Sequence, residues 1–192
     1  MSPEEIRAKS ADNALHAEGT RHIFDERTRK LSILVRSRDF IGIAIPLVIG
    51  YVLSADFFDF LKNYQRLAIT VLALLALAQL LLTLWSLISK WDEELQYCNR
   101  ASRDSYALRT AWNKLAENDA ENLELEYKLL SKRQDDADSH DIQKGIKPAE
   151  YAAGMRTGLI LFKRKCYTCD KVPTTRTAPW RPKSPCMTCG GN

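Results

Sequence analysis

Two Cys-x-x-Cys pairs near the carboxyl end constrain the fold of this chain more than any other feature. They are Cys166–Cys169 and Cys186–Cys189, and they take four of the five cysteines. Two intervening residues let both thiolates of a pair face one metal ion, and two pairs complete a tetrahedral site. The loop between them, residues 170–185, has 16 residues, a spacing typical of zinc ribbons. The alternative is two disulfides or four unrelated thiols. The spacing favours one Zn²⁺ bound by all four cysteines.

A long uncharged run indicates a membrane. Leu67 to Ile88 carries no charge over 22 positions, about 33 Å of helix, enough to cross a hydrocarbon core of about 30 Å. Phe40 to Ala55 is a shorter uncharged run of 16 residues, about 24 Å long. The alternative is a buried soluble hairpin, which the nearly unbroken apolar surface of the longer run disfavours. The sequence therefore predicts a two-pass transmembrane hairpin.

Basic residues predict the orientation of this hairpin. Eight Lys and Arg residues lie in the first 39 positions, two between residues 56 and 66, and eighteen beyond Ile88. The positive-inside rule then puts both termini in the cytoplasm. A reducing cytoplasm disfavours disulfides and supports zinc.

The predicted fold class is an all-α membrane protein with a transmembrane helical hairpin, a cytoplasmic helical bundle and a small C-terminal zinc ribbon. Its predicted segments are N-terminal helices over 1–38, the hairpin over 39–89, the helical region over 90–165 and the zinc tail over 166–192. No Gly or Pro interrupts Leu67 to Asn118, so one continuous helix is expected there. Gly19 is expected to break the N-terminal helix, and Gly154 and Gly158 to weaken the last one, from Pro148 to Lys165. The acidic stretch 135–141 is expected to be a linker.

Each membrane run carries a stripe of residues suited to helix contacts. The first holds Gly42, Pro46, Gly50 and Ser54, and the second holds Gln79, Thr83 and Ser86. Small residues let helix backbones approach closely in lipid. A mid-membrane Gln79 should face another helix or water. The polar stripe that holds Gln79 could serve either in interhelical hydrogen bonding or in lining a pore, and the sequence leaves both roles open.

The tail is strongly basic. Its positive residues are Lys163, Arg164, Lys165, Lys171, Arg176, Arg181 and Lys183. Such a cluster suits a polyanion such as nucleic acid, an acidic partner protein, or anionic lipid headgroups. No catalytic constellation or Gly-rich phosphate loop accompanies it, so an enzyme is not expected.

The layout of a short cytoplasmic helix, a two-pass hairpin and cytoplasmic helices resembles the SLATT family, the two-transmembrane effectors of bacterial nucleotide-signalling defence systems. The aromatic-rich amphipathic stretch Trp91 to Leu115 contributes to this likeness. The chain is also similar to the membrane effectors of some retrons. The tail resembles a mobile-element family named for paired Cys-x-x-Cys motifs, in which the intervening loop is shorter.

The resemblance implies an anti-phage effector that oligomerises in the bacterial inner membrane and forms a pore. A signalling nucleotide, a retron ribonucleoprotein or another defence-system component would be its partner. Asp56 and Asp59 would then ring the outer mouth, where acids favour cations. Two other functions stay open: a membrane-anchored adaptor whose zinc tail binds nucleic acid or a protein, and a structural membrane protein whose tail is stapled by zinc.

Overall fold

The computed structural model describes residues 1–52, 65–117, 122–176 and 186–191, and five α-helices run through them. These are α1 Pro3–Val52, α2 Gln65–Ile88, α3 Trp91–Glu117, α4 Leu123–Gln143 and α5 Pro148–Leu161. The described residues contain no strand. The described residues therefore confirm the predicted all-α class, and the two cysteine pairs lie in turns of the C-terminal tail. Two compact units result: the bundle unit, residues 1–27 and 97–192, and the hairpin unit, residues 28–96.

Helix α1 passes through Gly19 without a break, so the predicted interruption is wrong. A Cβ added at Gly19 would lie 3.2 Å from the carbonyl carbon of Gly154 in α5. Gly19, Gly154 and Gly158 therefore allow close backbone contact between two helices, and this contact offsets the low helix propensity of glycine.

The predicted continuous helix over 67–118 is also wrong, because α2 ends at Ile88 and α3 begins at Trp91. Lys90 between them has a left-handed φ of 51°, a conformation that ends helices. The acidic residues Asp92, Glu93 and Glu94 occupy the first turn of α3, where they complement the positive end of its dipole. The predicted acidic linker, 135–141, instead lies within α4, whose last residue is Gln143.

Trp112 of α3 lies at the centre of the bundle unit and is fully buried. Ile6, Ala14 and Ala17 of α1 belong to the same apolar cluster. The indole N–H of Trp112 donates to Gln134 Oε1 of α4 over 2.6 Å. The Trp112 ring packs edge-on against Tyr127, with ring centroids 5.4 Å apart. The cluster thus joins α1, α3 and α4.

The start of α5 is fixed to α1 by an ion pair. Arg27 donates to both carboxylate oxygens of Glu150, over 3.0 and 2.7 Å. It also donates to the carbonyls of Lys144 and Gly145, just before the helix. These hydrogen bonds from Arg27 hold the pKa of Glu150 well below its usual range, at about 2. Together with the glycine contacts, they position α5, the helix on which the cysteine pairs rest.

Candidate metal centre and membrane hairpin

The two cysteine pairs converge into one cluster. Their four Sγ atoms all lie within 4.8 Å of one another, and could hold a single metal ion. Cys166 Sγ is 3.8 Å from Cys186 Sγ, and Cys169 Sγ is 3.7 Å from Cys189 Sγ. These separations are too long for disulfides, whose S–S bond is about 2 Å, and suit thiolates around one ion. The predicted ligand set is therefore brought together, and the four residues fit a metal.

The two pairs form equivalent turns, related by a shift of 20 residues. The N–H of Asp170 donates to the carbonyl of Cys166, and that of Gly190 to the carbonyl of Cys186, both over 2.8 Å. Asp170 and Gly190 both have left-handed φ values, 52° and 77°. The hydroxyls of Thr168 and Thr188 meet between the turns at 2.7 Å. Each pair therefore presents its thiols from the same type of turn.

The end of α5 delivers the first pair to the bundle. The predicted extension to Lys165 is wrong, because the helix ends at Leu161 and Lys163 has a left-handed φ of 51°. This reversal places Cys166 against an apolar patch that includes Leu15, Met155 and Leu159. Cys186 and Cys189 join the same patch. The cluster is therefore shielded from water on its bundle side.

The cysteines differ in acidity before any metal binds. Burial opposes ionisation of Cys186, but hydrogen bonds from the backbone N–H groups of Cys189 and Thr188 and from the neighbouring thiols lower the Cys186 pKa to about 7. Burial and the adjacent thiols of Cys169 and Cys186 together raise the pKa of Cys189 to about 12. A metal ion would have to displace the protons that remain, so its affinity should fall as pH falls.

Arg156 is a site residue that sequence reasoning missed. It lies on α5 and is 1% exposed. Its guanidinium donates to the carbonyl and hydroxyl of Thr175, and to the carbonyls of Cys189 and Gly191. One side chain therefore holds the segments that follow both cysteine pairs. The available signal was a single charged residue, an arginine, in the stretch Tyr-Ala-Ala-Gly-Met-Arg-Thr-Gly-Leu-Ile.

The structure describes five of the seven residues in the predicted basic cluster. Lys163, Lys165, Lys171 and Arg176 are exposed. Lys165 lies 3.4 Å from Asp170, and Arg164 pairs with Asp12 of α1. Arg181 and Lys183 lie outside the described residues. Tyr167, between the two cysteines of the first pair, is 79% exposed.

Among the described residues, one helix, in the hairpin unit, has the length and apolar composition needed to cross a membrane. Ile69–Ile88 is long and apolar enough to span, and only 6% of it is buried, unlike the core helix of a soluble domain. Residues 40–52 of the other apolar run are helical, and Phe40, Ile43 and Leu47 are exposed. Ser54, Asp56 and Asp59 lie outside the described residues.

Gln79 of α2 supplies a hydrogen bond that Pro46 of α1 cannot make. Proline has no N–H, so Pro46 cannot donate to the carbonyl of Gly42, four residues earlier. Gln79 Nε2 of α2 donates to that same carbonyl over 3.2 Å. The arrangement is an interhelical hydrogen bond that satisfies a backbone group left free by the proline.

The rest of the polar stripe is also bonded within the chain. Arg38 donates to Ser86 Oγ over 2.6 Å, and pairs with Asp92. Thr83 donates to the Gln79 carbonyl of its own helix. Arg38 of α1 contacts Ser86, whereas Gly42, later in α1, contacts the earlier Gln79 of α2. The two helices are therefore antiparallel.

The Pro46–Gln79 pairing predicts a compensating mutation. Gln79→Leu leaves the Gly42 carbonyl unsatisfied and should destabilise the hairpin by about 1 kcal/mol. In a Pro46→Ala background, residue 46 again donates to that carbonyl, so the effect of Gln79→Leu should become smaller. A double-mutant cycle of unfolding in detergent measures this coupling. Equal effects of Gln79→Leu in both backgrounds would contradict it.

A cleft of about 660 Å³ opens in the bundle unit between α1, α3, α4 and the start of α5. His16, Asp138, Asp141 and Tyr151 line it. Burial raises the pKa of both Asp138 and Asp141, and Tyr97 donates to Asp141 over 2.8 Å. Two carboxylates in this position suit a neutral or cationic group better than the phosphates of a nucleotide.

One comparison with known proteins gives a match. A family model described as mobilome CxxCx(11)CxxC protein matches residues 7–192. The description has eleven residues between the pairs, whereas 16 residues, 170–185, separate them here. No curated protein and no solved structure matches the chain.

Proposed function

The chain belongs to the family of mobilome CxxCx(11)CxxC proteins, and we propose that it is a two-pass effector of the bacterial inner membrane that oligomerises and permeabilises it. Both termini lie in the cytoplasm, as the distribution of basic residues favours. The name of the family links its members to mobile elements, a genetic context that suits an anti-phage system. The SLATT-like layout supports the same activity.

One observation carries the proposal: the hairpin unit leaves open space at Gly50, on its apolar surface. A Cβ added at Gly50 would meet nothing within 4 Å. Gly50 lines a groove together with Pro46, Gln79 and other residues of α1 and α2. Two helices cannot enclose a channel, so a second copy packing at Gly50 is the contact from which an oligomeric pore would be built.

The metal in this proposal is Zn²⁺ and its role is structural. Four thiolates around one ion are the ligand set of structural zinc sites, which leave no open position for catalysis. A reducing cytoplasm keeps the thiols available. When bound, the ion fixes the tail against α5 and α1, where tail and bundle together restrain the pore until a signal arrives.

The experiment compares Gly50→Leu with Val48→Leu, a bulkier side chain at a neighbouring position that is already 51% exposed. Neither variant overfills the single chain, but Gly50→Leu should block close packing between chains. We expect wild type and Val48→Leu to arrest growth with loss of membrane potential, measured with a potential-sensitive dye. Gly50→Leu should reach the membrane and leave both growth and potential intact. Growth arrest by wild type at unchanged potential and ion permeability would refute the pore.

A second function, a membrane-anchored adaptor, is favoured by the exposed cations close to Tyr167 in the sequence. Lys163, Lys165 and Lys171 are exposed, and so is the Tyr167 ring, on which a base could stack. In this case the tail would bind nucleic acid, and binding would weaken steeply with salt.

Charge reversal tests the adaptor. The double variant Lys171→Glu, Arg176→Glu should reduce the affinity for single-stranded nucleic acid at least tenfold. Because two phosphate contacts are lost, about two fewer counterions should be released on binding, and the slope of log affinity against log salt should become shallower. Lys132→Glu, an exposed lysine on α4, is the control and should change little. If the tail variant binds like wild type, the tail is not the nucleic-acid site.

A further inference from the structure

Arg156 is the one buried cationic side chain among the described residues. Its partners are the carbonyls of Thr175, Cys189 and Gly191 and the Thr175 hydroxyl. In the described part of the chain no carboxylate pairs with it. Its hydrogen bonds are therefore satisfied by neutral groups, while none of the described acids balances its charge.

A buried charge without a counter-charge is strongly unfavourable, even when its hydrogen bonds are made. The cysteine cluster, whose Cys189 carbonyl Arg156 contacts, would carry a net negative charge with a metal bound. Four thiolates carry four negative charges, and a divalent ion neutralises two, which leaves the centre with a net charge of −2. Arg156 contacts the backbone carbonyl of Cys189, one of the four cysteines, over 3.0 Å. The inference therefore rests on the metal site of the proposed function.

We propose that Arg156 is the buried counter-charge of the metal centre, and that it couples metal binding to docking of the tail on α5. The coupling is reciprocal: docking raises metal affinity by the same factor by which metal strengthens docking.

The test uses full-length protein in detergent micelles, with Co²⁺ as the probe metal. Co²⁺ affinity is measured by chelator competition, following the absorption of the Co²⁺–thiolate bonds, for wild type, Arg156→Gln and Arg156→Lys. Arg103→Gln, at an exposed arginine of α3, is the control. Groups outside the ligand shell typically change metal affinity 10- to 100-fold, so we expect such a loss in Arg156→Gln and a change below twofold in Arg103→Gln.

Arg156→Lys separates charge from shape. Lysine restores the charge but not the planar fork of donors, so it should recover a clear part of the affinity that Arg156→Gln loses. Trypsin cleavage after Lys171 and Arg176 reports docking. We expect slow cleavage only in metal-loaded wild type, and fast cleavage in Arg156→Gln and in metal-free wild type.

Equal affinities of the Lys and Gln variants would show that Arg156 acts only through its hydrogen bonds, and would overturn the counter-charge. Wild-type affinity in Arg156→Gln would overturn the coupling as well. A wild-type protein that binds neither Co²⁺ nor Zn²⁺ would instead overturn the metal site of the proposed function. If circular dichroism shows Arg156→Gln unfolded in metal while Arg156→Lys is folded and loaded, the charge requirement is supported.

Discussion

Cys166→Ser combined with Cys186→Ser is expected to reduce the metal content of the purified chain from about one zinc per chain to none. Each pair then keeps one thiolate, and two thiolates are too few for a structural zinc site. Zinc binding to structural sites contributes about 10–16 kcal/mol. Its loss should therefore release the whole tail rather than loosen it. Elemental analysis and trypsin cleavage after Lys171 check both consequences.

Cys98→Ala is the matched control, because Cys98 is also fully buried but lies on α3, outside the cluster. It removes a thiol without removing a ligand, so zinc content should stay at about one per chain. Zinc retained by the Cys166/Cys186 double variant would contradict a four-thiolate site. Two intact disulfides detected by mass spectrometry in native wild type would also contradict it.

The cysteine cluster could be predicted from the sequence because its signal is local. Paired cysteines two residues apart prescribe a turn, and doubling the pair prescribes a shared ion, whatever the rest of the chain does. The all-helical character was also predictable, since long stretches free of Gly and Pro favour helix independently of packing. Both predictions depend on residues that are near one another in the sequence.

The features that sequence reasoning missed depend on partners far along the chain. Gly19 reads as a helix break until Gly154, its contact on α5, is known. Arg156 reads as a misplaced charge until the cysteine turns fold over it. Lys90 has no breaker signal of its own, and only its left-handed φ reveals where α2 ends and α3 begins. Propensity cannot foresee these cases, because tertiary contacts override it.

Gly154→Ala is expected to destabilise the bundle unit, although alanine is the better helix former. The added Cβ would lie 2.5 Å from the carbonyl oxygen of Gly19 and 2.9 Å from Ile23 Cγ1. The oxygen belongs to the α1 backbone, so it cannot rotate away, and the two helices must separate. Overpacking of this kind typically costs about 1–3 kcal/mol, enough to outweigh a propensity gain of about 1 kcal/mol.

Separation of α1 and α5 would also disturb the metal centre, since Leu15 and Leu159 from these helices pack against the cysteines. Gly154→Ala should therefore lower both the free energy of unfolding and the zinc affinity, measured by denaturant titration in detergent and by chelator competition. Gly50→Ala is the control: the same change in another helix, at a position where a Cβ meets nothing within 4 Å. It should leave the zinc affinity unchanged and should not lower the free energy of unfolding, since only the propensity gain acts there. Equal stability of the two variants would mean that Gly154 is not a point of close helix contact, and that the tail is positioned by Arg27, Arg156 and the apolar patch alone.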